Sequence, residues 1–470
     1  MDETLSVDTV IVGAGISGLI AAYELKKQGK SVAIIEQADI VGGCIRSSIK
    51  DGFTLEHGAN TLVLTPRIAS LLEELNLDDR ITQPAYQPYK QYVWSTTHHA
   101  PREVPRHPVT LFKTDLFTFS EKIKLLRGLF KKTTVAADDS VAAVFSKLLG
   151  TAVVERALAP ALRGIFGGDP ARLKLSAVFQ RIAKALNEGS SLFAYAKKLQ
   201  SNRRKIFHLR GGNALFPQAL AAQIGRHLFL HTTVEQIQKA DNRFVISCVD
   251  NQESASKRTT ITTHSLILAQ SGTSLASFLQ QHFQAAIPVQ RFAPITAVHF
   301  AYDAPTPPLT QAFGMLFPQH CGFSIIGVLF NSGLFPHVAP VGQSLLTVCL
   351  GGIDGQDCVS LSDQELVASC VHDLERSLQL PAPALRCLGI TRWPHAIPQY
   401  EEKFYALREC LDNLEQQYPG LLCVGVDRGS VGVPDRIERV LEQLNANTML
   451  KNKPTTERPS IERRSTQDYQ

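Results

Sequence analysis

The residues whose types and spacing best suit chemistry lie near the start of the chain, where a glycine turn is followed by an acid. The turn reads Gly13-Ala14-Gly15-Ile16-Ser17-Gly18, and Glu36 follows 18 residues after its last glycine. Gly13 permits a tight turn, Gly15 lets the backbone approach a pyrophosphate, and Gly18 lets a helix pack on a strand. Glu36 can accept hydrogen bonds from a ribose 2′-hydroxyl. This spacing predicts a dinucleotide site.

Regular elements on both sides must position these residues. Residues 7–12 are apolar enough for a buried strand, residues 19–26 for a helix, and residues 31–35 for a second strand that ends at Glu36. The N-terminus of such a helix presents N–H groups and a partial positive charge to phosphates. A plain βαβ unit with a glycine-rich turn does not account for Glu36. The order of elements therefore predicts a Rossmann-type unit.

A second glycine segment follows the acid. It reads Val41-Gly42-Gly43-Cys44-Ile45-Arg46-Ser47, and Glu56-His57-Gly58-Ala59-Asn60-Thr61 comes soon after it. Gly42 and Gly43 allow close backbone approach, and Arg46 supplies positive charge; a surface salt bridge is the alternative role for Arg46. The segment resembles the second nucleotide motif of the flavin amine oxidase superfamily, which favours FAD over NAD.

Composition excludes several classes of protein. The 470 residues are 44% hydrophobic with a net charge of +5, which is globular and too mildly basic to indicate nucleic acid. Nine cysteines without metal-ligand spacing predict neither a disulfide framework nor a zinc site and favour a reducing compartment. The acidic start MDETLSVDTV predicts no signal or transit peptide. We therefore expect a cytoplasmic protein.

Two further stretches each leave two interpretations open. Residues 304–353 contain no Asp, Glu, Lys or Arg but are broken by prolines, so they predict buried strands, packed in a core or lining an apolar cavity. Residues 121–132 form an amphipathic pattern in which Lys122, Lys124 and Arg127 surround an apolar face. That helix suits either contact with anionic lipid headgroups or an ordinary solvated surface. A second basic cluster covers residues 197–205.

Two segments indicate a narrower family. They are Gly167-Gly168-Asp169-Pro170 and Arg392-Trp393-Pro394-His395-Ala396-Ile397-Pro398-Gln399-Tyr400. The glycine turn Gly429-Ser430-Val431-Gly432-Val433-Pro434, near the end of the chain, predicts the start of a helix, because its proline suits a first helical position. The two segments resemble segments of the protoporphyrinogen oxidase family, and the resemblance covers residues 7–447 in the expected order. The family often has Gly-His after its Pro-Gln-Tyr, where this chain has Glu401-Glu402-Lys403, and this departure bears on the substrate rather than on the flavin.

The resemblance implies a fold class and a division of the chain. The fold is α/β together with α+β: a Rossmann-type FAD-binding domain, a mixed-sheet substrate domain and a helical insertion, as in amine oxidase-like flavoproteins. The FAD domain would be assembled from residues 1–85, 206–285 and 391–447. Residues 86–205 would form the helical, membrane-associating insertion and residues 286–390 the substrate-binding domain. Residues 448–470 would be a disordered tail.

The resemblance also implies roles for particular residues. Beyond the glycine segments, Glu36 and Arg46, the FAD contacts would come from Gly58, Ala59, Asn60, Val234, Trp393, Val431, Gly432 and Val433. A macrocyclic substrate would lie against Phe313, Leu316, Leu329 and Cys349. Arg102, in Pro101-Arg102-Glu103-Val104-Pro105, would meet a propionate in preference to Arg106, with a surface role as the alternative. The flavin performs the chemistry, so no catalytic side chain is expected.

The implied activity is the six-electron oxidation of protoporphyrinogen IX to protoporphyrin IX in heme biosynthesis, with dioxygen accepting the electrons to give hydrogen peroxide. A coproporphyrinogen III oxidase of the same fold is the first alternative. A flavin amine oxidase and a non-catalytic FAD-binding protein are the others. Besides the porphyrinogen and dioxygen, the implied partners are an anionic membrane surface contacted peripherally, ferrochelatase and a second copy of the chain, but no nucleic acid.

Overall fold

The computed structural model describes residues 3–105, 108–200, 205–252, 257–303, 311–353, 355, 358–429 and 431–447. The predicted disordered tail, Arg106 and the start of the uncharged stretch therefore lie outside the described residues. The chain forms two compact units. The first comprises residues 1–45, 214–289 and 406–470, and the second comprises residues 46–213 and 290–405.

The secondary structure alternates strands and helices at both ends of the chain and is helical between them. The strands are β1 (Glu3–Val12), β2 (Val32–Ile35), β3 (Ser47–Lys50), β4 (Phe53–Glu56), β5 (Leu62–Leu64), β6 (Ile81–Thr82), β7 (Lys90–Ser95), β8 (Ala100–Glu103), β9 (Lys205–Leu209), β10 (Leu228–Phe229), β11 (Thr232–Ala240), β12 (Arg243–Asp250), β13 (Arg258–Leu268), β14 (Phe292–Tyr302), β15 (Ala312–Leu316), β16 (Ile325–Leu329), β17 (Ser344–Gly351), β18 (Leu385–Pro398) and β19 (Leu421–Cys423). The helices are α1 (Ile16–Lys27), α2 (Pro66–Glu74), α3 (Pro108–Lys113), α4 (Phe119–Phe130), α5 (Val141–Leu149), α6 (Thr151–Val153), α7 (Ala159–Phe166), α8 (Leu175–Val178), α9 (Gln180–Asn187), α10 (Leu192–Gln200), α11 (Leu215–Ile224), α12 (Gly272–Phe283), α13 (Asn331–Leu334), α14 (Asp363–Leu378), α15 (Lys403–Gln417) and α16 (Val433–Ala446).

The first unit is built around one sheet with strand order β10-β2-β1-β13-β12-β11, and β19 also pairs with β13. The pairs β1–β2, β1–β13, β2–β10 and β13–β19 are parallel. β2 is buried along its whole length, as expected for a strand covered on both faces. Helices α11 and α16 both pack against α1. This arrangement brings the glycine turn after β1 to the carboxyl edge of a parallel sheet, where α/β proteins bind ligands.

A buried carboxylate joins two elements of the first unit. Asp427 is 2% exposed, and its Oδ2 accepts a hydrogen bond of 2.8 Å from the backbone N–H of Gly272, the first residue of α12. Burial raises the pKa of Asp427 from 3.8 to about 6, although this hydrogen bond and the charges of Arg436 and Arg428 act in the opposite direction. Asp427 therefore binds the first residue of α12, but its ionised form lowers the stability of the folded protein because the carboxylate is buried.

The second unit contains a sheet with strand order β18-β14-β17-β16-β15-β7-β8. On one face, Met315, Val328 and Val348 pack with Cys370 and Leu374 of α14 in a hydrophobic core. Neighbouring residues along each strand point to the opposite face. The uncharged stretch thus supplies three adjacent strands, β15, β16 and β17, each with one face in this core and a second face turned away from α14.

A run of helices, α3 to α10, follows β8 in the second unit, and two details differ from expectation. Residues 90–103, which the sequence places in a helical insertion, form β7 and β8, and β7 pairs with β15 far along the chain. Lys122 on α4 is 8% exposed, and its Nζ donates to Phe112 O at 2.9 Å and to Thr114 O at 2.6 Å. The prediction that Lys122 belongs to a solvated basic face is therefore wrong, because two backbone carbonyls bind it inside the protein.

Candidate functional site

The glycine turn of the first unit has the geometry that its spacing predicts. Gly13 has φ +109°, and its N–H donates to Ile35 O at 2.8 Å. A Cβ on Gly18 would lie 2.0 Å from Gly13 O, so only glycine fits between the turn and α1. In contrast, within the described part of the chain no atom lies within 4 Å of the position that a Cβ on Gly15 would take. The turn is therefore closely packed between Gly13 and Gly18, and it leaves room for a ligand at Gly15.

The open point coincides with the start of a helix. Gly15 is the N-cap of α1, and among the described residues no side chain caps it. The carboxylate of Glu36 lies at the same turn: its Oε2 accepts from Ala14 N at 2.6 Å and its Oε1 from Ala38 N at 2.9 Å. A helix N-terminus open to ligand, with an acid at its edge, suits a pyrophosphate and a ribose.

The second glycine segment packs on the first, backbone against backbone. Gly42 has φ +104°, and its N–H donates to Ala14 O at 2.9 Å. A Cβ on Gly43 would lie 3.3 Å from the Cα of Gly15. Two segments that are separate in sequence thus form one cradle, in which added side chains would fill the space needed by a ligand.

The other residues predicted to bind the nucleotide in this unit belong to β11 and to the start of α16. Thr232 N donates to Glu36 O at 2.9 Å, and Val234 pairs with Cys248 just before a bulge in β11. Gly432 is the N-cap of α16, and within the described chain no side chain caps it. Pro434 is the second residue of α16, one position after the first helical position that the sequence predicts for it. This second uncapped helix start includes Val431 and Val433 and presents backbone N–H groups to an electron-rich ligand.

In the second unit, Arg46, His57 and Trp393 form one cluster. The Trp393 Nε1 donates to His57 O at 2.7 Å, and His57 N donates to Arg46 O at 2.9 Å. The Arg46 guanidinium lies 5.7 Å from the centre of the Trp393 ring, a cation–π contact. The structure therefore brings together two residues, Arg46 and Trp393, that the sequence assigns separately to the flavin.

The segment Gly58-Ala59-Asn60 is held by two asparagines. Asn213 Nδ2 donates to Ala59 O at 2.9 Å, and Asn331 Nδ2 donates to Asn60 Oδ1 at 3.0 Å. Asn331 lies two residues after Leu329 in the chain. Its hydrogen bond therefore links the segment that contains Leu329, a predicted substrate contact, to Asn60, a predicted cofactor contact.

Buried histidines support the same segment, and the sequence pattern gave no signal for them. Glu56 Oε1 lies 2.9 Å from His208 Nε2, and His208 Nδ1 lies 2.9 Å from His337 Nε2. His299 packs edge-on against His57, with ring centres 5.8 Å apart. Burial, reinforced by His57, lowers the pKa of His299 to about 4, so His299 is neutral at physiological pH. The neutral His299 ring therefore packs against this segment without adding charge.

Three of the residues predicted to line the substrate lie on one face of the sheet. Leu316 on β15 is opposite Gly327 on β16, Gly327 is opposite Cys349 on β17, and Leu329 is two residues after Gly327. Paired residues on neighbouring strands share a face, here the face turned away from α14. Each of the three side chains is half-buried. Burial raises the pKa of the Cys349 thiol to about 12, which makes it an apolar surface rather than a nucleophile.

The remaining two predicted substrate residues have other contacts. Phe313 packs against Tyr89, with ring centres 5.8 Å apart, next to a cluster that includes Phe335. Arg102 Nε donates to Asp115 Oδ2 at 2.8 Å, and its Nη1 donates to Pro101 O at 3.1 Å. The guanidinium of Arg102 is thus already paired on β8, and its predicted contact with a propionate stays a prediction.

The two segments that indicated the narrower family meet in the second unit. Gln399 Nε2 donates to Phe166 O at 2.8 Å, immediately before Gly167, and a Cβ on Gly168 would lie 2.2 Å from Gln399 Oε1. Glu401, at the departure from the family pattern, pairs with Arg172 at 3.1 Å. An ion pair of Glu401, the residue at which this chain departs from the family pattern, therefore connects the two segments.

Comparison with known proteins decides the family. The chain matches the family described as flavin containing amine oxidoreductase over residues 16–431. It belongs to this family. The amine oxidoreductase fold confirms the predicted fold class, and the uncapped helix start and open cradle at Gly15 fit the cofactor. The protein is an FAD-dependent oxidoreductase, which confirms the predicted cofactor and enzyme class.

The relatives and solved structures agree with this assignment. Protoporphyrinogen oxidase 2 of Arabidopsis thaliana is 26% identical, with 90% of each chain covered. Coproporphyrinogen III oxidase of Bacillus subtilis (strain 168) is 25% identical, with 92% of this chain and 95% of the relative covered. A crystal structure of an Exiguobacterium protein assigned as a protoporphyrinogen oxidase has a TM-score of 0.77 at 20% identity, covering 96% of this chain and all of that one. A putrescine oxidase structure has a TM-score of 0.66 at 16% identity, covering 96% and 100%.

Proposed function

We propose that this flavoprotein oxidises a porphyrinogen to the corresponding porphyrin. The reaction removes six electrons and six hydrogens, and three dioxygen molecules would take them up as three molecules of hydrogen peroxide. The proposal rests on one observation above the others: Leu316, Leu329 and Cys349 form a half-buried apolar row on one sheet face, as a large apolar macrocycle requires. Relatives named for two porphyrinogens support it.

The residues of the chain would bind and orient rather than react. Gly13, Gly15 and Gly18, with Gly42, Gly43 and Glu36, would hold the nucleotide part of FAD. In the same unit, Val234, Val431, Gly432 and Val433 would also contact the cofactor. In the second unit, the predicted cofactor contacts are Arg46, Trp393 and the segment Gly58-Ala59-Asn60. When bound, FAD would supply the redox chemistry of the reaction.

The apolar row would have two physical tasks. It would exclude water from the macrocycle and hold a bridging carbon in a fixed orientation, since correct placement is the main contribution that a protein makes to hydride transfer. The Cys349 thiol and the His299 ring are both neutral at physiological pH, so neither would place an ion against a neutral macrocycle.

Anaerobic reduction of the flavin tests the proposal. The purified holoenzyme, mixed without oxygen with protoporphyrinogen IX or coproporphyrinogen III, should lose its absorbance near 450 nm, and admitting air should restore it with formation of the porphyrin and hydrogen peroxide. The faster of the two substrates identifies the physiological class. Bleaching by amines such as putrescine, but by neither porphyrinogen, would contradict the proposal and favour an amine oxidase.

A surface on the helices of the second unit supports peripheral contact with a membrane. Phe119 is 72% exposed, Phe130 59% and Phe193 45%, and the Phe130 and Phe193 rings are in contact with centres 4.5 Å apart. Lys124 and Arg127 are exposed on α4 between the first two. Apolar side chains with basic neighbours suit an anionic bilayer surface. In the described residues, none of the helices combines the length and apolarity needed to cross a bilayer.

A further inference from the structure

The sheet face that carries the apolar row continues for two more strands and ends in a hydroxyl. Cys349 on β17 is opposite Ala297 on β14, and Ala297 is opposite Thr391 on β18. Paired residues on neighbouring strands share a face, so Thr391 lies on the same face as Cys349. Two strand spacings separate them by about 10 Å, and the residue between them has only a methyl side chain. A flat substrate on the row would therefore have the Thr391 hydroxyl at its edge.

His57 connects this hydroxyl to solvent. Its Nδ1 lies 2.7 Å from Thr391 Oγ1, and its Nε2 lies 2.8 Å from Ser48 Oγ. The imidazole is half-buried, whereas Ser48 is exposed. An imidazole can accept a proton on one nitrogen and release one from the other. The three side chains thus form a continuous hydrogen-bonded path from the substrate face to water.

The other polar groups next to the row do not provide such a path. His299 Nδ1 lies 3.0 Å from Thr347 Oγ1, but both residues are 0% exposed. The Cys349 thiol, with a pKa of about 12, keeps its proton at physiological pH. Of these groups, His57 is the one that can change its protonation near neutral pH and exchange protons with solvent.

The surroundings of His57 favour its neutral form, which is the form that accepts a proton. Burial has the largest effect and lowers its pKa from 6.5; Glu56, at the end of β4, raises the pKa, and Arg46, just before β3, lowers it. His299 of β14, packed edge-on against the ring, is neutral. Thr391 of β18 and Ser48 of β3 add hydrogen bonds without charge. At physiological pH the imidazole is therefore mainly unprotonated.

We propose that Thr391, His57 and Ser48 form a relay that carries protons from the substrate to solvent during the oxidation. The inference rests on the proposed function, in which each of three two-electron steps removes one hydride and one proton. The hydride leaves a carbon with its electron pair and goes to the bound cofactor. The proton leaves a nitrogen or carbon of the macrocycle, and the electron pair of that bond stays in the macrocycle. It passes through the Thr391 hydroxyl to His57 Nδ1, while a proton leaves His57 Nε2 through Ser48 to water.

Anaerobic flavin reduction at several pH values tests the relay. FAD-loaded wild type, His57→Gln and the control His372→Gln, which removes an exposed histidine from α14, are mixed with whichever of protoporphyrinogen IX and coproporphyrinogen III reduces wild type faster. The wild-type rate should rise with pH and level off above the pKa of His57, which lies below 6.5. At pH 8, His57→Gln should be about 100-fold slower, at the low end of the range for a general base, and should lack this titration. His372→Gln should match wild type.

Two variants of Thr391 distinguish the relay from a packing role. Thr391→Val keeps the branched shape but removes the hydroxyl, so it should slow flavin reduction about 10-fold or more. Thr391→Ser keeps the hydroxyl and should retain most of the wild-type rate. Independently of turnover, the histidine ring signal that His57→Gln removes from the NMR spectrum should titrate in wild type at the pKa seen in the rate profile.

The outcomes separate this inference from the proposed function. A wild-type rate and pH profile in His57→Gln, or equal rates for Thr391→Val and Thr391→Ser, would each overturn the relay while leaving porphyrinogen oxidation intact. FAD content and unfolding temperature, measured on every variant, show whether the fold is intact; if His57→Gln loses FAD, the two Thr391 variants decide. Failure of both porphyrinogens to bleach the wild-type flavin would instead refute the proposed function, and the relay with it.

Discussion

Replacing Asp427 by Asn should stabilise the protein in a way that depends on pH. The wild-type carboxylate is buried, and its pKa is raised from 3.8 to about 6. A raised acid pKa means that the folded state prefers the protonated form, so the stability due to Asp427 is full below pH 4 and is lost as pH rises through 6. A shift from 3.8 to about 6 corresponds to about 3 kcal/mol. Asn keeps an oxygen for the Gly272 N–H and never ionises.

Urea unfolding of the FAD-loaded protein at several pH values measures this effect. The free energy of unfolding of Asp427→Asn minus that of wild type should rise by up to about 3 kcal/mol between pH 4 and pH 6 and then stay level. All other titrating groups are common to both proteins and cancel in the difference. Asp241→Asn serves as a control for loss of one exposed carboxylate from the same unit. A difference for Asp427→Asn that is constant from pH 4 to pH 7 would refute the reasoning.

Three other predictions concern the cofactor and the membrane. Gly15→Ala should leave the apoprotein's unfolding temperature nearly unchanged but reduce FAD retention, because its Cβ would enter the open space that the cofactor needs. Gly18→Ala should lower both the unfolding temperature and FAD retention, because its Cβ would lie 2.0 Å from Gly13 O. Equal unfolding temperatures for the two variants would count against this explanation. Acid precipitation should release FAD into the supernatant, and a yellow pellet would show a covalent flavin. The protein should sediment with anionic liposomes at low salt and less at high salt; replacing Phe119 and Phe130 by Ser should weaken this, and equal binding to neutral liposomes would contradict the electrostatic part.

The part of the site that the sequence predicts well is local in the chain. Strand, glycine turn, helix and acid all fall within residues 7–36, and each element depends on neighbours a few positions away. The conformations of Gly13 and Gly18 follow from their spacing, because alternative residues do not fit there. The same reasoning located the start of α16 from Pro434.

Features that depend on distant partners could not be read from the pattern. The alternation in residues 90–103 does not specify that β7 pairs with β15, more than 200 residues later. Nor does an amphipathic helix reveal that Lys122 turns inward to two carbonyls of the preceding segment. His208, His299 and His337 come from three separate parts of the chain and share no sequence motif. Their contacts with Glu56, with His57 and with each other could therefore not be predicted from the pattern. Such contacts can be predicted only when the sheet registers are known.

The interleaving of the two units determines the order in which the newly made chain can fold. Glu3 of β1 pairs with Thr259 of β13, and β13 in turn pairs with Leu421 of β19. At roughly 5–20 residues per second, β1 can pair with β2 early but must wait tens of seconds on the ribosome for β13. A truncation anywhere before β19 leaves this sheet incomplete. We therefore expect stable capture of the cofactor only by chains whose synthesis has almost finished.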